Sequence, residues 1–174
     1  MKGEKLFFID AETDGLNGKF ISVGIVVTDM KCNEIERVYY GIRKDKLIVT
    51  DPWTKENVLP FMGDYVEVED ERELLEKVWK MWEKHGDESY AIADVIYPVE
   101  ARLFQKCVYA DEVNRCKKGP FPFIDISSLL YAKNIDPLTS REQLIGDEHI
   151  MNGRIHNAMY DVEVMIAIYK IIMK

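Results

Sequence analysis

The sequence predicts an α/β layer fold built on a mixed five-stranded sheet, three strands antiparallel and then two parallel, flanked by helices. Three observations carry that expectation. Three strand-type runs follow one another within residues 6–42 with only short connections. Helical and strand-type segments then alternate, in the order helix, strand, helix, strand, helix. The chain has 174 residues, 47% of them apolar and 31% charged, which suits one compact domain (1–174) with a sizeable core.

Each element has its own justification. Residues 6–9 (LFFI) are apolar on both faces, as in a central strand. Residues 20–28 (FISVGIVVT) form a second strand, entered through the turn-rich DGLNGK, and residues 35–42 (IERVYYGI) a third, so the three make an antiparallel meander. Residues 43–68 read as irregular, because Pro52, Pro60 and Gly63 break any long element. Over 69–85 the apolar residues Leu74, Leu75, Val78, Met81 and Trp82 recur at helical spacing, acids fill the first turn, and Gly86 ends the helix. Residues 90–93 read as a short buried strand ending at Asp94. Pro98 opens a helix to about residue 109, because proline suits a first turn. A strand at 123–126 leads to a short helix through 132, with Ser127 as its expected cap. Residues 134–153 look irregular apart from a helical turn near 140–144, and a last apolar helix runs over about 157–173. No internal repeat or low-complexity linker interrupts this order.

Charge and composition exclude some functions. A net charge of −8 argues against a broad electrostatic grip on duplex DNA, which needs a basic face. Lys117 and Lys118, with Arg115 nearby, are a small patch and read as a solvated loop. Cys32, Cys107 and Cys116 lack metal-binding spacing and read as reduced thiols, so a cytoplasmic location is expected. The first residues carry charge too early for a signal peptide, and no apolar run reaches membrane-spanning length, so no membrane partner is expected.

Three places carry chemistry. In LFFIDAETDGL, Asp10 and Glu12 share one face of a strand because side chains alternate. Taken alone, the pair reads rather as a strand end leaving the core, with its last residues solvated. Asp94 follows SYAIA at the carboxyl end of another buried strand, where open α/β sheets bind ligands; alone, it reads rather as a turn former. His156 and Asp161, in HNAMYD, are five positions apart. That separation turns through roughly 500° of helix, so they do not stack on one face. His156 then sits at the helix entry and Asp161 one turn inside, near the positive end of the helix dipole.

Taken together and in this order, these segments resemble a known family. Asp10-Ala11-Glu12-Thr13 followed by Gly15-Leu16 resembles the first motif of the DEDDh 3′–5′ exonucleases, in the ribonuclease H-like superfamily. His156-Asn157-Ala158-Met159-Tyr160-Asp161 resembles the family's third motif, HxAxxD, and Asp94 stands where the aspartate of the second is expected. The second motif departs from the pattern: family members often carry an Asn four positions before that Asp and an aromatic just before it, whereas Tyr90 and Ala93 stand here. Proofreading exonucleases, ribonuclease T and oligoribonucleases are among the relatives.

The resemblance implies a ribonuclease H-like three-layer fold and a metal-dependent 3′–5′ exonuclease acting on single-stranded or short nucleic acid, DNA or RNA. Two carboxylates about 4 Å apart repel by roughly 4 kcal/mol at an effective dielectric near 20. A converging Asp10, Glu12, Asp94 and Asp161 therefore calls for counter-charge, and an all-oxygen set selects Mg²⁺ or Mn²⁺ rather than Zn²⁺. In the family scheme two ions are held: Asp10 bridges both, Glu12 and Asp161 hold the first, and Asp94 helps hold the second. His156 takes the proton of the attacking water. Thr13, Gly15 and Leu16 would touch the terminal nucleotide, with Leu16 as wedge or as an ordinary turn hydrophobe. Trp53, Phe61 and Tyr65 read as a stacking platform, with Trp53 and Phe61 equally readable as loop packing, and Glu100 is an extra acid near the site to which no role is assigned. Related ribonucleases often dimerise, so a homodimer is an expectation. The alternative function is a non-catalytic binding or accessory subunit on the same fold.

Overall fold

The computed structural model describes residues 3–146 and 155–174. Its sheet has six strands: β1 Lys5–Thr13, β2 Phe20–Asp29, β3 Glu34–Ile42, β4 Val66–Val68, β5 Ser89–Ala93 and β6 Phe123–Asp125. They lie in the order β4-β3-β2-β1-β5-β6. β1, β2 and β3 form the expected antiparallel meander, and β5 and β6 extend it in parallel from β1. The sixth strand, β4, pairs in parallel with the far edge of β3. It lies in the stretch read as irregular, and three residues (VEV) are too few to show a period of two.

The helices are α1 Pro52–Asn57, α2 Glu71–His85, α3 Val99–Tyr109, α4 Glu112–Arg115, α5 Ile126–Ala132, α6 Arg141–Ile145 and α7 Ala158–Ile172. α1 is a second correction to 43–68: Pro52 sits in its first turn, and the Asp51 carboxylate accepts from the Thr54 amide as its cap. α5 is capped by Asp125 rather than Ser127; the Ser127 amide and hydroxyl both donate to Asp125. Of the segment read as irregular over 134–153, residues 147–153 lie outside the described residues.

Alternation along β1 separates two cores. Phe7, Ile9 and Ala11 face one way, into a cluster with Leu74, Val78, Trp79 and Trp82 of α2 and Leu103 and Phe104 of α3. Leu6 and Phe8 face the other way, against α7. There Phe8 meets Tyr169 edge to face, with centroids 5.5 Å apart. Each fully buried aliphatic or aromatic side chain of this kind contributes about 1.5–3 kcal/mol. α7 is apolar almost all round, and nine of its residues are buried, so it needs the sheet on one side and α5 and α6 on the others.

Arg115 departs from the expectation of a solvated loop. Its guanidinium is buried, forks onto Glu76 at 2.7 and 3.0 Å, donates to the Cys107 carbonyl and lies over the Trp79 ring. It ties α4 to α2 through a charge pair and thus carries packing rather than surface charge. No helix among the described residues is long and apolar enough to cross a membrane.

Candidate active site

The face of β1 that meets α7 changes character partway along. Leu6 and Phe8 lie under the body of the helix, and the next two residues of the same parity are Asp10 and Glu12. β1 continues through both acids to Thr13, so they are strand residues rather than a departing end. α7 runs antiparallel to β1 and begins above this point. Opposite Asp10 in the ladder stands Gly24. A Cβ there would lie 2.6 Å from the Ala158 carbonyl oxygen and 2.8 Å from the Met159 nitrogen. Only a residue without a side chain lets the first turn of α7 rest on the sheet, and this close seat brings Asp161 down onto Asp10 and Glu12.

One carboxylate oxygen from each of Asp10, Glu12 and Asp161 lies within 4.8 Å of the other two. At an effective dielectric near 20 each ionised pair at that separation repels by about 3 kcal/mol. Their protonation reflects this. Asp10 is pushed well above the usual carboxylate range by desolvation and then by Asp161, Glu100 and Glu12. Burial raises Glu12 to about 7. Burial, with Glu12 beside it, raises Asp161 to about 8, although the His156 amide donates to its Oδ2 at 2.8 Å and opposes the shift. Three carboxylates that, among the described residues, pair with no Lys or Arg form a hard, all-oxygen donor set that suits a divalent metal ion.

Asp94 and His156 complete the expected set differently. β5 pairs with β1 as far as Phe8 opposite Ile92, and the same register carried two residues further brings Asp94 beside Asp10. Both acids, with His156 and Asp161, line one cavity of about 310 Å³. Asp94 nevertheless stands outside the three-carboxylate cluster. It is held by Arg141 of α6 in a fork, Nε to Oδ2 at 2.5 Å and Nη2 to Oδ1 at 2.9 Å. His156 sits at the entry of α7 with φ +69°, and its ring meets the Trp53 indole edge to face at 4.8 Å. Asn157 caps α7 by accepting from the Met159 and Tyr160 amides. Its own amide donates to the Phe61 and Met62 carbonyls and ties the helix entry to the segment after α1.

Thr13, Gly15 and Leu16 line a second cavity of about 390 Å³ beside Glu12, together with Trp53, Thr54 and Val99. Thr54 sets its shape: its hydroxyl accepts from the Gly15 amide at 3.0 Å and donates to the Thr13 carbonyl. Gly15 has φ +67°, which a side chain would strain. Leu16 is 61% exposed on the wall of this cavity. Arg102 of α3 braces its loop by donating to the Leu16, Asn17 and Gly18 carbonyls. Asp14 plays a different part from its acidic neighbours. Slight desolvation acts to raise its carboxyl, but the Asp51 and Thr50 amides and the Thr50 hydroxyl donate to it and hold it low, pinning α1 to the first loop. Of the three aromatics considered for stacking, Trp53 faces the site. Tyr65 packs on Tyr39 and donates to the Ile42 carbonyl.

Glu100 is an extra acid near the site whose role the sequence did not disclose. It is buried in the first turn of α3, accepts from the Ala11 amide at 3.2 Å, and is raised to about 8 by burial despite that amide and its own. It grips β1 between Asp10 and Glu12. The available signal was an acid at the first turn of a helix that follows the Asp94 strand.

Comparison with solved structures places this arrangement on a shared fold. The zinc-bound form of E. coli exonuclease I with single-stranded DNA is similar with a TM-score of 0.68 at 14% identity, over 97% of this chain and 40% of that one. A 3′-exonuclease that recognises the 3′ end of the histone mRNA stem-loop has a TM-score of 0.68 at 12% identity, over 99% and 83%. Exonuclease X in complex with 5′-overhanging duplex DNA has a TM-score of 0.55 at 16% identity, over 97% and 90%. This chain thus spans about 40% of the exonuclease I chain, and most of the other two. No family model matches it, and no curated protein matches it in sequence. The ribonuclease H-like α/β fold is shared with these exonucleases.

Proposed function

We propose that the chain is a divalent-metal-dependent 3′–5′ exonuclease acting on single-stranded or short nucleic acid. The observation that carries this reading is the convergence of Asp10, Glu12 and Asp161, from a strand and a helix far apart in the chain, within 4.8 Å at one end of the sheet. The fold likeness to proteins named as exonucleases bound to single-stranded DNA or to an RNA 3′ end supports it.

Asp10, Glu12 and Asp161 would hold one Mg²⁺ or Mn²⁺, and Asp94, on the wall of the same cavity, would contribute to a second. Bound there, the ions would supply Lewis-acid stabilisation of the charge that develops on the attacking and leaving oxygens of the phosphodiester. The protein's own residues do the rest. His156 accepts the proton of the attacking water at a ring nitrogen, with the Trp53 indole against its ring and its backbone tied to Asp161. Thr13, Gly15 and Leu16 border the neighbouring cavity, which receives the terminal nucleotide, with Trp53 as an aromatic wall for its base. The local site, rather than a basic surface, then provides most of the grip, in keeping with the net charge of −8.

The test uses single-stranded DNA and RNA labelled at either end, and a dinucleotide, incubated with Mn²⁺ and with either the parent or Asp10→Asn. The proposal expects mononucleotides released from the 3′ end by the parent, cleavage abolished by EDTA and by the substitution, and recovery on adding metal. Binding of nucleic acid by the parent with Mn²⁺, with none of the substrates shortened, would instead favour the non-catalytic accessory role.

A further inference from the structure

We infer that Arg141 is a built-in counter-cation that occupies Asp94 until a second divalent ion displaces it, so the two ions load with separated affinities and the second loosens the α6 segment. The inference deepens the metal-dependent reading above and rests on it.

The geometry assigns this role to Arg141. Its guanidinium takes both oxygens of Asp94 at once, the strongest form of charge-assisted contact a side chain can make. The pair is mostly buried, with the two side chains 18% and 20% exposed. Both hydrogens of Nη1 are committed as well: Nη1 donates to the Pro137 carbonyl at 2.8 Å and the Thr139 carbonyl at 2.6 Å. Arg141 therefore cannot swing away alone. Releasing Asp94 either breaks these two contacts or moves the chain around Pro137 and Thr139 with it.

Counter-charge is asymmetrically placed as a result. Among the described residues no Lys or Arg pairs with Asp10, Glu12 or Asp161, whereas Asp94, on the wall of the same cavity, is paired with Arg141. A first ion meets this cluster of three carboxylates. A second must compete with a forked guanidinium for Asp94, and hydrogen bonds to charged groups of this kind are worth enough to weaken it by about ten- to a hundred-fold. α6 is held to α7 by the Tyr160 hydroxyl, 3.1 Å from Glu142 Oε1, so the segment remains anchored at a second point when Arg141 lets go.

The experiment is a Mn²⁺ titration of the metal-free full chain, followed by calorimetry and by loss of the free-ion resonance signal, in the parent and in Arg141→Gln. The expected result is two sites in both proteins, with the second bound about ten- to a hundred-fold more tightly in the variant and the first nearly unchanged. Hydrogen exchange in the parent gives a readout that needs no substitution: amides over 137–145 should exchange faster at saturating Mn²⁺ than with one equivalent. Equal second-site affinity in the two proteins, or exchange over 137–145 that does not respond to the second equivalent, overturns the inference while leaving the metal site intact. Failure of either protein to bind any Mn²⁺ overturns the metal reading itself and this inference with it.

Discussion

Gly24→Ala tests how the site is assembled without assuming what it catalyses. The added methyl would sit 2.6 Å from the Ala158 carbonyl oxygen, against 3.4 Å at the near edge of ordinary contact, so the first turn of α7 has to retreat by at least 0.8 Å. The obstacle is backbone on both sides, and no side chain can rotate away. Overpacking of this kind costs about 1–3 kcal/mol, and alanine's smaller loss of chain entropy returns about 0.4–1 kcal/mol of that. With a urea dependence of about 2 kcal/mol per molar, the unfolding midpoint should fall by up to about 1.3 M, about 0.7 M at the middle of these ranges. The same retreat lifts Asp161 from Asp10 and Glu12. An ion that demands near-ideal geometry at about 2 Å should then bind at least about tenfold more weakly. Urea denaturation of the metal-free protein and Mn²⁺ calorimetry measure the two effects. Gly119→Ala is the control, since a Cβ there meets only Val108 at 3.6 Å: it should leave the Mn²⁺ affinity unchanged and raise the midpoint by only the entropic gain of about 0.2–0.5 M. An unchanged midpoint together with unchanged Mn²⁺ affinity in Gly24→Ala would refute the claim that this close approach seats Asp161.

The metal-free protein should lose stability between pH 5 and pH 8. Glu12, raised to about 7, and Glu100 and Asp161, raised to about 8, keep protons in the native state that the unfolded chain releases near pH 4–4.5, so stability falls as pH rises through that window. Glu12 alone accounts for a loss on the order of 3 kcal/mol. Melting temperatures across pH 5–8 measure it, saturating Mn²⁺ at pH 8 should reverse it, and a flat profile would contradict the burial of these acids. His156→Asn should slow hydrolysis by about 10²- to 10⁴-fold while sparing Mn²⁺ affinity. His156 holds Asp161 through its backbone amide, which asparagine keeps, and asparagine tolerates the φ of +69°. Single-turnover rates and calorimetry separate the two effects. Thr54→Val should loosen the Gly15 loop, raising the KM for a dinucleotide with little change in kcat, because its hydroxyl bridges the Gly15 amide and the Thr13 carbonyl. A change confined to kcat would argue against that bracing role.

Periodicity alone was enough for most of the scaffold. The apolar runs of β1, β2 and β3, the amphipathic stripe of α2 and the nearly all-apolar α7 each announce how they are buried, because burial is what their side chains are for. The parity of Asp10 and Glu12 on one strand, and the position of His156 before a helix that carries Asp161 in its first turn, were equally legible, since both follow from local geometry. The short elements were not. β4 and α1 lie in a stretch where proline and a three-residue strand leave no repeating pattern, and they exist because β3 has a free edge and Asp14 pins Thr50 and Asp51. The partners of charge were hidden for a related reason. Whether Asp94 faces a metal or Arg141, whether Glu100 grips β1, and whether Arg115 is solvated or forked onto Glu76 depend on which residues meet across the fold. A local pattern specifies which face of a strand or helix turns inward; the neighbour that a charged group meets, and the seat that Gly24 leaves for α7, come from contacts between distant segments that exist only once the chain has packed.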